Sequence, residues 1–177
     1  MAALAASTTP GPAVATDTPV CGHELICAAD PQTVVAALQK RGFRAELFSD
    51  PAGPYIASGA EGYAFSVLFN DCKDGKDCTS LQFNILFSES DKHTPQYANA
   101  FNVRYRYIQV GALPNNRLRF AYDLNTMGGI TKENFNTFLG IWSGALRSFA
   151  NFSREQAAST IPPAAPINPV AGKPQKP

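Results

Sequence analysis

Tyr63-Ala64-Phe65-Ser66-Val67-Leu68-Phe69-Asn70 and Ser80-Leu81-Gln82-Phe83-Asn84-Ile85-Leu86-Phe87 are the two stretches on which the fold turns. Strand side chains alternate between faces, so Tyr63, Phe65, Val67 and Phe69 share one face of the first stretch. Leu81, Phe83, Ile85 and Phe87 share one face of the second. The segment between them holds Lys73-Asp74-Gly75-Lys76-Asp77, whose Gly and Asp residues suit a tight reversal. The two stretches therefore form an antiparallel hairpin at the centre of a sheet. Its apolar face needs a cover, while its opposite phase carries Ser66, Leu68, Gln82, Asn84 and Leu86.

Working outward, Phe43, Ala45 and Leu47 alternate with Arg44 and Glu46, and residues 50–54 (DPAGP) turn the chain into a short strand at Tyr55–Ser58. Before them, Asp30 caps a helix that Pro31 begins, Val34, Val35 and Leu38 line, and Gly42 ends. After the central pair, Thr94-Pro95 opens a second helix with Ala98, Phe101, Asn102 and Tyr105 on one side. Residues 115–119 return to a strand in which Leu118, Phe120, Tyr122 and Leu124 point one way. Arg117, Arg119 and Asp123 point the other. Gly128-Gly129 breaks the chain, and Thr131 caps a last helix to about Ala158. Its stripe of Phe135, Phe138, Leu139, Trp142, Leu146 and Phe149 is wide enough to cover the sheet. Strands and helices in this order lack the regular alternation of a parallel doubly wound sheet, so the expected class is α+β. Its architecture is an antiparallel β-sheet with helices packed on one face.

With 177 residues, 45% of them hydrophobic and 16% charged, the chain can bury one sizeable core. A formal net charge of +1 supplies no global field for nucleic acid or an anionic membrane. No run approaches the ~18 consecutive apolar residues of a membrane-spanning helix, so no membrane span is expected. Of fourteen prolines, three lie in the first twenty residues and six in the last seventeen. The expected organisation is residues 1–27 as an export-signal remnant or linker plus a cysteine loop, 28–158 as the folded domain, and 159–177 as a disordered Pro-rich tail. Ala13-Val14-Ala15 fits a signal-peptidase site, although no positive n-region precedes it and a plain linker competes.

The four cysteines fall in close pairs, Cys21/Cys27 and Cys72/Cys78, and three connectivities are open. Spacing favours neighbours. Hairpin closure around 73–77 should bring Cys72 and Cys78 to a Cα separation of ~4.4–6.8 Å, and Cys21 and Cys27 could clip a small loop. Such bonds persist outside the cytosol, which points to a periplasmic or secreted protein. Metal binding competes weakly, because five residues separate each pair where zinc knuckles use two to four. Redox catalysis would call for Cys-x-x-Cys, which is missing.

No Gly-x-Ser-x-Gly, His-Glu-x-x-His, P-loop or Gly-x-Gly-x-x-Gly motif occurs. His23 and His93 are read as surface residues. Asp71, Asp74 and Asp77 do not keep the spacing of a calcium loop. Gly128-Gly129 is read as a sharp turn in preference to an anion site. Arg104-Tyr105-Arg106-Tyr107 interleaves cations with rings as single-strand nucleic-acid binders do. On a helix, however, these arginines would simply flank an apolar stripe. No catalytic residue, metal or cofactor, and no nucleic-acid partner, is expected.

The segments DPQTVVAALQKRGF (30–43), PYIASGAEGYAFSVLFNDC (54–72), CTSLQF (78–83), YANAFN (97–102), RYRY (104–107) and GGITKENFNTFLGIW (128–142) make the chain similar to the YbjN family. The likeness covers about residues 28–150. Its members are catalogued as candidate bacterial sensory-transduction regulators, and the resemblance implies a fold like that of type III secretion chaperones. Phe101-Asn102 stands where Trp-Asn is usual in that family. The resemblance implies regulation or binding in place of chemistry. The expected role is a non-enzymatic binding or regulatory protein of the bacterial envelope, holding a protein segment or a small ligand, with self-association as a homodimer among the options. The candidate interaction face is Ser66, Leu68, Gln82, Asn84, Leu86, Arg117 and Arg119. A small enzyme whose site carries no known motif is the alternative.

Overall fold

The computed structural model describes residues 21–22 and 24–158. The expected leader remnant, His23 and the Pro-rich tail lie outside the described residues. Along the chain run β1 (Leu25–Ile26), α1 (Pro31–Lys40), β2 (Arg44–Asp50), β3 (Gly53–Ala60), β4 (Tyr63–Asn70), β5 (Ser80–Phe87), α2 (Pro95–Asn102), β6 (Gln109–Leu113), β7 (Arg117–Asn125), β8 (Ile130–Thr131) and α3 (Lys132–Ala158). Six strands form one antiparallel sheet in the order β2-β3-β4-β5-β7-β6, and β1 pairs with β8 in a small second sheet. The fold is α+β, with β4 and β5 at the centre of the main sheet, as their alternation predicts.

Local chemistry sets the helix starts. The Asp30 carboxylate accepts from the Gln32 amide at 3.1 Å, the Thr94 hydroxyl from Tyr97 at 3.2 Å, and the Thr131 hydroxyl from Asn134 at 3.1 Å. Pro31 and Pro95 occupy first-turn positions, where a missing amide costs nothing. Gly129 closes the turn before β8 at φ +86°, and a Cβ there would meet Leu25 at 2.8 Å, so only glycine fits.

The core lies between one face of the main sheet and the helices. Phe83 is fully buried, with ring centroids 5.7 Å from Phe65, 4.8 Å from Phe138 and 5.4 Å from Trp142. α3 buries Phe135, Phe138, Leu139, Trp142, Leu146, Phe149 and Phe152, each adding about 1.5–3 kcal/mol of burial. Among the described residues Trp142 has no conventional acceptor for its indole N–H. Phe65, Phe83 and Phe120 surround it at 5.3–5.5 Å, and ring faces are weak acceptors.

Several expectations need correction. β3 runs from Gly53 to Ala60, longer than Tyr55–Ser58, because it pairs on both sides. α2 stops at Asn102, so Tyr105 and the two arginines beside it sit in a turn; Tyr107 takes φ +75° there. β6 lies in a segment to which the sequence reading assigns no element, and within it only Val110 is fully buried. The Cα atoms of Cys72 and Cys78 are 3.8 Å apart, closer than expected, since the loop they flank closes on a reciprocal Lys73–Lys76 backbone pair of 2.7 and 2.9 Å. Both neighbouring pairs are at disulfide distance, with Cys21 and Cys27 Cα atoms 6.2 Å apart. That first pair closes the loop that contains β1.

Candidate functional site

Because the helices occupy one face of the main sheet, the other face is left to the out-of-phase residues, and strand register arranges them in rows. Leu68 lies between Tyr55 and Gln82, and Gln82 faces Asp123. Ser66 lies between Ala57 and Asn84, which in turn faces Ala121. Leu86 faces Arg119. Ser66, Leu68, Gln82, Asn84, Leu86 and Arg119 thus share one continuous surface. Arg117 is on the same face next to Arg119, opposite Leu113 of β6 and beyond the end of β5.

The surface is mixed in character. Leu86 is 46% exposed and Phe48 42%, both large enough to matter as uncovered apolar area. Phe48 stacks on Tyr55 across β2 and β3 with centroids 5.4 Å apart. The Gln82 side chain donates to Asp123 at 2.8 Å, and the Arg44 guanidinium donates to Glu46 at 2.7 Å. Asn84 Oδ1 is shielded by its neighbours and has no donor among the described residues. Phe48, Tyr55 and Glu46 were not among the expected face residues. The signal was present: Phe48 falls out of phase with Phe43, Ala45 and Leu47, and Tyr55 out of phase with buried Ile56.

A groove of about 340 Å³ lies on the helix side, where Ala36 and Ala37 of α1, Leu25 and Ile26 of β1, and Lys132 and Asn136 of α3 meet. Lys132 donates to Glu24 at 2.5 Å at its rim. Elsewhere the candidate chemical groups are engaged within the fold. Arg104 donates to Glu155 at 2.8 Å and lies 5.5 Å from the Tyr105 ring; that ion pair also raises its pKa. Arg106 lies 5.0 Å from the Tyr107 ring. His93 is half-buried against Phe87 and Tyr97, with Nδ1 3.0 Å from the Ser88 carbonyl. Asp71 accepts from Ser80 at 2.5 Å. Among the described residues no three His, Cys, Asp or Glu side chains gather as metal ligands. Burial raises the pKa of Tyr63, Tyr97 and Tyr122, all on the helix side of the sheet. No described helix is long and apolar enough to cross a membrane.

The chain matches the model of a family described as "Putative bacterial sensory transduction regulator" over residues 30–155. Its fold is similar to that of a crystal structure described as YbjN, "a putative transcription regulator from E. coli", with a TM-score of 0.53 and 16% identity. That match covers 78% of this chain and 99% of the other. It is also similar to an uncharacterized protein from Methanothermobacter thermautotrophicus, at a TM-score of 0.50 and 12% identity, over 72% of this chain and 96% of the other. No curated protein matches it.

Proposed function

Since the chain belongs to the YbjN family, we propose that it is a non-enzymatic regulatory protein of the bacterial envelope, holding a protein segment on the open face of its sheet. The observation that carries this reading is the uncovered face itself, with Leu86 46% and Phe48 42% exposed among paired polar side chains. Apolar side chains spaced between polar ones on a flat surface suit an extended or helical protein segment, whereas small ligands favour concave sites. Four described cations, Arg44, Arg104, Lys132 and Arg147, are held in surface ion pairs. The two cysteine pairs at disulfide distance support an oxidising compartment.

The test is isolation of the full-length protein from the native envelope with cross-linking and mass spectrometry. A stoichiometric protein cross-linked to this face is expected. Leu86→Asp should release it with little change in melting temperature, because Leu86 is exposed, and Leu68→Asp should release it at a larger cost in melting temperature, because Leu68 is half-buried between Tyr55 and Gln82. Retention of the partner by both variants, or substrate turnover without any partner, would overturn the reading.

A further inference from the structure

The two edges of the main sheet are finished differently. At the β6 edge, Asn102 of α2 closes the backbone: its Nδ2 donates to the Val110 carbonyl at 2.8 Å, and the Val110 amide donates to its Oδ1 at 2.9 Å. The β2 edge has little of this protection. β2 pairs with β3 without a bulge from Arg44 opposite Gly59 to Asp50 opposite Gly53; its seven residues include no proline or lysine, and its charges, Arg44, Glu46 and Asp50, are of both signs, so they guard the edge against a foreign strand but not against a complementary one. The Arg44 carbonyl accepts from Ser58 of β3 at 2.6 Å, and the Ala45 carbonyl from Gln39 of α1 at 3.1 Å. Successive peptide groups point in opposite directions, so those of Ala45, Leu47 and Ser49 face away from β3. No described strand pairs with them.

The sequence Arg44-Ala45-Glu46-Leu47-Phe48-Ser49-Asp50 is self-complementary when run antiparallel to itself. We propose that a second copy of this chain pairs along β2 about a two-fold axis through Leu47, joining two six-stranded sheets into one. Leu47 is the middle residue, so the whole strand overlaps. Leu47 then exchanges both backbone hydrogen bonds with Leu47 of the second copy, while the Ala45 amide donates to the Ser49 carbonyl and the Ser49 amide shares the Ala45 carbonyl with Gln39, which is the phase the outward groups require. Arg44 falls opposite Asp50 twice by symmetry, both on the open face of the sheet, and opposite charges directly across a ladder attract. Arg44 uses Nε and Nη2 on Glu46, leaving Nη1 for a second carboxylate. Leu47, 36% exposed, meets its own copy beside the helix layer. The pairing is independent of what the open face holds, and it sets the open faces of the two copies side by side.

The test is sedimentation equilibrium of the full-length protein. A dimer is expected, with Arg44→Asp weakening it roughly ten- to thirtyfold as two attractive pairs become repulsive. The double swap Arg44→Asp with Asp50→Arg should restore it to within a few-fold. In the wild type the Leu47 amide should exchange more slowly as concentration rises, a readout that requires no variant. A monomer at every accessible concentration, a dimer indifferent to Arg44→Asp, or a Leu47 amide that exchanges freely in the dimer would overturn the proposal. So would a monomer that takes up an added extended peptide along the same amides, since the edge would then serve a foreign strand.

Discussion

Replacing Asn102 with alanine removes the only side chain bonded to the outward backbone groups of Val110 among the described residues. Two hydrogen bonds are lost, and each typically contributes about 0.5–1.5 kcal/mol net. Asn102 is itself solvent-exposed, so water can reach Val110 once the amide is gone. The loss should therefore fall in the lower part of the range, about 1–2 kcal/mol, or a fall in Tm of roughly 2–8 °C for a chain of this size. Urea unfolding followed by fluorescence reports it cleanly, because Trp142 is the sole tryptophan and is fully buried. The slope against urea should stay constant while the midpoint falls. Asn102→Asp sharpens the test. The carboxylate can still accept from the Val110 amide, but it has no donor for the Val110 carbonyl and sets negative charge against it, so it should cost at least as much as alanine. The Val110 amide should also exchange faster in Asn102→Ala. If Asn102→Ala lies within about 0.5 kcal/mol of wild type, or Asn102→Asp is as stable as Asn102, the amide does not hold this edge.

Phe83→Ala should cost about 3–5 kcal/mol and red-shift Trp142 emission, because Phe83 contacts Phe65, Phe138 and Trp142 in the sealed core; a loss under 2 kcal/mol would mean the rings repack freely. Intact mass after alkylation should show no free thiol before reduction and four after it, and replacing Cys72 and Cys78 by serine should cost about 2 kcal/mol through the unfolded chain. Alkylation without reduction would contradict the pairing. Burial raises the pKa of Tyr63, Tyr97 and Tyr122 above 10.0, most simply because the phenolate is desolvated. Their contribution to stability is whole below the unfolded value and is lost as pH rises through the raised folded values. Phenolate absorbance of the folded protein should show late-titrating tyrosines ahead of alkaline unfolding; six tyrosines ionising together at the ordinary value would refute this.

Much of the fold was legible because its signals are local. The alternation in β4 and β5, the caps at Asp30, Thr94 and Thr131, and the stripe on α3 each lie within a few residues of the chain, and the structure keeps all of them. Phe152 extends that stripe by one further turn. The end of α2 was misplaced because Tyr105 keeps helical spacing with Phe101, and the two rings do stack at 4.5 Å, but from a turn. β6 gives a weak sequence signal because an edge strand beside one partner needs little alternation, and within it only Val110 is fully buried while Ala112 packs partly against the core.

By itself, then, the sequence determined the elements that a short window can encode: period-two strands, capped helices, a cysteine-flanked turn and the phase of Ser66, Leu68, Gln82, Asn84 and Leu86 on the face away from the helices. Only the tertiary structure decided the order of strands, the stacking of Phe48 on Tyr55, the place of Arg117 beyond the end of β5, and the unequal finish of the two sheet edges. Those features depend on pairings between residues far apart in the chain, such as Leu86 with Arg119. Alternation states which way a side chain points but not which strand lies beside it.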